Sequence, residues 1–89
     1  MPYLSQFYGV IITMNSERDM QHSKPHFHAR YGDEKLVVSI DGEILAGKFP
    51  SKQQKMVLAW AAIHEDELTA AWQLLSNGIA PDFKIEPLK

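Results

Sequence analysis

The chain has 89 residues, 45% of them apolar and 22% charged, with a formal charge of −2 and no cysteine. That length makes room for one domain over residues 1–89 and for no second core. The lack of cysteine excludes disulfides and thiolate metal sites and points to a cytoplasmic setting, while the small negative charge disfavours nucleic acid as a partner. Gly9-Val10-Ile11-Ile12 is a strand-sized run, so neither a signal segment nor a membrane span is expected.

In chain order, Tyr8 to Met14 reads as an interior strand, because Val10, Ile11 and Ile12 are consecutive and β-branched. Asn15 to Lys24 is a polar loop, longer than most connections in compact domains. Pro25 closes it and suits the first position of a strand. His26 to Tyr31 alternates: Phe27, Ala29 and Tyr31 share one face, and His26, His28 and Arg30 the other. A turn at Gly32-Asp33-Glu34 leads to a strand over Lys35–Ile40, with Leu36, Val38 and Ile40 on its apolar side. Asp41-Gly42 carries the signature of a two-residue hairpin, and Glu43–Ala46 returns from it.

Gly47-Lys48-Phe49-Pro50 breaks the sheet, and Ser51 with Gln54 has the spacing of a helix-capping box. Helical periodicity then runs to Asn77, with Gly78 as terminator. Met56, Val57, Trp60, Ala61, Ile63, Leu68, Ala71, Trp72, Leu74 and Leu75 make its apolar arc. One straight helix of that length would reach about 39 Å, against a radius of gyration of about 12 Å for a domain of this size. A bend near His64–Asp66 is therefore expected, with Asp66 as the second cap. The tail from Ile79 to Lys89 is irregular and docks as an edge. The elements imply an α+β domain: a small antiparallel β-meander sheet of about four strands, with a long or broken C-terminal helical segment packed on one face.

Three of the four histidines fall in the run His22-Ser23-Lys24-Pro25-His26-Phe27-His28. His26 and His28 project from the same side of a strand, about 7 Å apart along the backbone. Two imidazoles so placed can reach one metal ion, with His22 folding back as a third ligand, and neutral imidazole suits a divalent transition metal such as zinc. The same pair can act without metal as general base and acid, with Arg30 stabilising a developing phosphate charge and Tyr31 on the same strand. His64 lies in the helical arc between Trp60 and Leu68, where a histidine paired to the backbone or to Glu67 is the simplest reading. It joins the other histidines only if the helix crosses the sheet edge. Trp60 and Trp72 read as core, with Trp72 at the margin of the arc as an interface anchor.

Taken together, Pro2-Tyr3-Leu4-Ser5, the H-x-x-P-H-F-H-A-x-Y-G run, Asp41-Gly42, Gly47-Lys48-Phe49-Pro50, the W-x-x-x-H-x-x-E-L run from Trp60 to Leu68, Trp72 and Ile85-Glu86-Pro87-Leu88 resemble a prokaryotic family, domain of unknown function 4160. The hallmark positions are His22, Pro25, His26, Phe27, His28, Ala29, Tyr31, Gly32, Trp60, His64, Glu67, Leu68 and Trp72. Lys24 and Gln21 depart from the family's usual proline and acidic residue. The resemblance implies no activity. It does imply a gene beside a second small gene, as in two-component modules of the toxin–antitoxin kind.

Three functional classes follow from these observations. The first is protein–protein binding through the histidine-bearing strand face, to a small partner from the neighbouring gene or to another copy. The second is a histidine-ligated metal site with a binding or hydrolytic role. The third is a metal-free ribonuclease using the paired histidines.

Overall fold

The computed structural model describes residues 3–15 and 24–88, the side chain of Tyr3 excepted. His22 and all of the expected Asn15–Lys24 loop but its two ends lie outside the described residues. Among the described residues five strands form one antiparallel meander in the order β1-β2-β3-β4-β5: β1 Tyr3–Phe7, β2 Val10–Thr13, β3 His26–Tyr31, β4 Glu34–Ser39 and β5 Ile44–Gly47. Two helices follow, α1 Ser51–Ile63 and α2 Glu65–Ser76.

The additional strand is β1. Tyr8, expected inside a strand, instead turns the chain: Tyr8 and Gly9 have φ of 49° and 83°, both left-handed, and Phe7 pairs with Val10 across them. This is the backbone of a two-residue hairpin whose right-handed strand twist demands positive φ. A tyrosine is a rare occupant of that conformation, so the usual residue signal is missing. The β4–β5 connection differs in the other direction. Asp41-Gly42 does not make a two-residue hairpin; the loop spans Ile40 to Glu43. It is closed by Ser39 N–H to the Glu43 carbonyl at 2.7 Å and Gly42 N–H to the Ser39 carbonyl at 2.9 Å.

The helical segment is broken as its length requires, and the radius of gyration is 12.0 Å. The break is the single residue His64, with φ −112° and ψ 28°. Neither expected cap is made. Ser51 is the first helical residue after Pro50, and Asp66 lies in the first turn of α2 with Glu65 and Glu67. Three carboxylates there favour the helix through its dipole rather than through a side-chain cap. The break also rotates Ile63 out of the apolar arc, leaving it 66% exposed. At the other end Gly78 N–H bonds the Leu75 carbonyl and Ile79 N–H the Leu74 carbonyl, at 3.0 and 2.9 Å. With φ of 75° at Gly78, this is the paired Schellman closure.

The core lies between one face of the sheet and the helices. Phe7, Val10, Ile12, Phe27, Ala29, Leu36 and Val38 supply the sheet side; Val57, Trp60, Ala61, Leu68, Ala71 and Leu75 supply the helical side. Trp60 packs against Phe7 and Phe27 with ring centroids 5.5 and 5.7 Å away. The tail docks on the outer edge of β1, where Ile85 N–H bonds the Leu4 carbonyl at 2.8 Å. Beside it, the Trp60 indole N–H reaches the Glu86 carbonyl, also at 2.8 Å.

Two glycines separate conformational strain from collision. Both Gly32 and Gly47 have positive φ, but a Cβ on Gly32 meets open space while one on Gly47 would overlap the Lys35 carbonyl oxygen. Gly32→Ala is expected to cost about 1 kcal/mol and Gly47→Ala at least twice that, compared by urea unfolding. Ile85→Ala, which empties a buried position in the tail, is expected to cost about 2–4 kcal/mol in the same measurement.

Candidate functional site

One face of the sheet carries the helices. The other carries the even-numbered side chains of β3, as the alternation requires. Phe27 and Ala29 are buried, His26 and His28 half-buried, and Arg30 exposed. Register then sets their neighbours. His28 lies between Thr13 and Val37, and Arg30 between Ile11 and Lys35. Ile11, Thr13, Asn15, His28, Arg30 and Lys35 line a groove of about 380 Å³.

The described lining of the groove is cationic. Arg30 and Lys35 stand directly opposite one another on adjacent strands, an arrangement of like charges that destabilises a sheet. Among the described residues no Asp or Glu lines the groove. Lys48 extends the cationic row, its N–H continuing the ladder to the Lys35 carbonyl at 3.1 Å. On the same wall, the Asn15 side-chain oxygen is buried and has no hydrogen-bond partner among the described residues. Guanidinium, ammonium, imidazole and hydroxyl groups can each donate to a carboxylate or another oxyanion, with arginine offering a planar two-point fork, while the Asn15 oxygen can only accept.

His26 occupies the corner of this face. Its Nδ1 lies 2.8 Å from the Lys24 carbonyl oxygen. A carbonyl can only accept, so Nδ1 is the donor in this contact. The His26 ring stands edge-on to His28 at 5.4 Å and tilted against Trp72 at 5.1 Å. It reaches Trp72 because α2 runs beside the end of the sheet, where Pro25, Ile40, Glu65 and Trp72 line a second cleft of about 300 Å³. Trp72 thus sits at the margin of the core, where its helical position puts it.

A small polar clamp holds this corner. The Lys24 ammonium lies 2.8 Å from Glu43 Oε1 and 3.5 Å from Asp41 Oδ2. The Ser39 hydroxyl donates to Asp41 and accepts the Glu43 N–H at 2.8 Å. The Ser39 hydroxyl, with the Lys24 charge behind it, holds the Asp41 carboxyl below its ordinary range. Glu43, by its hydrogen bond, holds the Lys24 ammonium above its own.

The remaining candidates fall elsewhere. Tyr31 is on the opposite side of β3 from the histidines and packs against Phe49 at 6.2 Å. His64 pairs with Glu67, its Nδ1 2.7 Å from Oε1, and lies 5.6 Å from the Trp60 ring. Among the described residues no group of three or more His, Asp or Glu side chains comes together to hold a metal ion, so His64 does not complete the His26–His28 pair. Thr13 and Lys35 also belong to the groove, and alternation along β3 alone does not find them. Lys35 was recoverable from register. A two-residue turn at Gly32-Asp33 puts it opposite Arg30, whereas a three-residue turn ending at Glu34 shifts the pairing.

Asp41 ionises more readily in the folded chain than unfolded, so its contribution to stability is present above the ordinary carboxylate pKa and lost as pH falls below it. Ser39→Ala removes the main cause. The gap in urea midpoint between wild type and this variant is expected to be widest near neutral pH and to narrow on acidification below the ordinary carboxylate pKa of 3.8. The part due to the lost Glu43 N–H bond will persist at all pH values.

The family model described as Domain of unknown function (DUF4160) matches residues 9–73, from the β1–β2 turn into α2. No curated protein and no solved structure gives a match. The matched span holds the histidine strand, its cross-strand neighbours and the His64 break, and on that match the chain belongs to the DUF4160 family, a domain of unknown function.

Proposed function

We propose that the helix-free face of the sheet is a docking surface for an acidic segment of a small partner protein, the second component of a two-gene module of the toxin–antitoxin kind. The observation that carries this reading is the direct opposition of Arg30 and Lys35 in a groove that, among the described residues, no carboxylate lines. Two like charges held side by side cost the free protein stability, and a carboxylate brought by a partner turns that cost into attraction. Ile11 and Val37 flank the charges on the same face and supply apolar contact. The Asn15 side-chain oxygen at the groove wall can accept a backbone N–H of such a segment. A protein partner is favoured over nucleic acid because the chain as a whole carries −2 and so repels a polyanion beyond the reach of this one row. The gene arrangement that goes with the family resemblance supplies the identity of the partner to try first.

The test is co-purification with the product of the adjacent gene, read by size-exclusion chromatography with light scattering. A mixed complex is expected, weakened by salt. Lys35→Glu replaces a cross-strand repulsion with an attraction. The variant is therefore expected to be more stable than wild type by about 0.2–1 kcal/mol, yet to bind the partner roughly 30-fold more weakly. Opposite signs for stability and binding separate loss of a docking charge from loss of fold. Absence of any mixed complex would overturn the reading.

A further inference from the structure

The two edges of the sheet are treated differently. The outer edge of β1 is covered by the tail through the Ile85–Leu4 hydrogen bond. Among the described residues no segment pairs with the outer edge of β5. All four residues of β5 are exposed, with Ile44 at 37% and Leu45 at 40%. Apolar side chains on an open edge strand are a template for another strand.

We infer that β5 pairs antiparallel with β5 of a second copy of this chain, about a two-fold axis between Leu45 and Ala46. The argument rests on parity and charge. Residues opposed across two strands must point to the same side of the sheet. In an unbroken strand, positions an odd number apart point to opposite sides, and a pairing centred between two residues would fail. Here β5 carries an irregularity: Val37 pairs with Ala46 but Val38 with Ile44, so Leu45 is the extra residue. Extra residues at an edge commonly turn it away from partners. This one has another effect. Ile44 and Gly47 stand opposite Val38 and Leu36, both buried core residues, so Ile44 and Gly47 share a side.

Ile44 of one copy can then oppose Gly47 of the other. One step outward on each side, Glu43 opposes Lys48 of the second copy, and the two-fold axis makes that ion pair twice. Both residues lie on the side away from the helices. Glu43 accepts the N–H of Ser39, which pairs with His26, and Lys48 donates its own to Lys35. Glu43 already receives the Lys24 ammonium, but its side chain remains 61% exposed, and a carboxylate has lone pairs for a second cation. The pairing does not depend on the docking reading. It does place two histidine faces on the same side of one continuous sheet.

Charge reversal tests the register with the whole chain. By sedimentation velocity at about 100 μM, wild type is expected to be a dimer. Lys48→Glu and Glu43→Lys each turn both ion pairs into repulsions and are expected to raise the dimer dissociation constant by at least about tenfold. Mixed in equal amounts, the two variants can form a pair in which both contacts are attractive, so the dimer is expected to return only on mixing. Circular dichroism of each variant alone reports whether it is folded. A monomeric wild type would overturn the inference, as would two folded variants that fail to recover a dimer when mixed. Dimers that persist in both variants alone would overturn it too, by placing the contact on another surface.

Discussion

The fold depends on where Trp60 sits. Its ring is fully buried between α1 and the sheet, touching Phe7 from the first strand and Phe27 from the third. Its indole N–H is satisfied by the Glu86 carbonyl of the tail. One side chain thus ties helix, sheet and C-terminal segment together, and it does so on one face. An aromatic of that size accounts for several kcal/mol in a core, a large share in a domain this small. Because the helical mass is committed to that face, the helices meet the reverse side of β3 only where Trp72 touches His26, among the described residues.

The helix break follows from the same commitment. A straight rod would overshoot the sheet, so the chain turns at His64, whose ring remains beside Trp60 and is held by Glu67. The turn lets α2 swing to the end of the sheet and bring Trp72 against His26. A histidine on the far face therefore touches the helical layer at one corner. That corner is fixed by Lys24, Asp41, Glu43 and Ser39 rather than by apolar packing.

What the residue pattern made legible was whatever depends on periodicity. The alternation from His26 to Tyr31 identified the strand and both its faces. The helical arc identified Trp60, Leu68 and Leu75 as core, and length alone demanded a break near His64. What escaped depends on a turn's backbone rather than on side-chain pattern. Tyr8 in a left-handed conformation concealed the first hairpin, and with it β1. Counting one residue too many in the Gly32-Asp33 turn concealed the pairing of Arg30 with Lys35. Caps were misplaced for a related reason. Ser51 and Asp66 have the right chemistry, but each falls inside its helix, where a side chain cannot serve the first turn as a cap does. His22, the expected third ligand, lies outside the described residues.

The docked tail has a bearing on colloidal behaviour. A sheet with two bare margins can recruit copies without limit, and that is the geometry of a fibre. With Ile85 hydrogen-bonded along one margin and buried beneath it, growth by strand addition has a single direction and terminates after one step. The ten described residues 79–88, without helix or strand, thus act as a stopper against polymerisation.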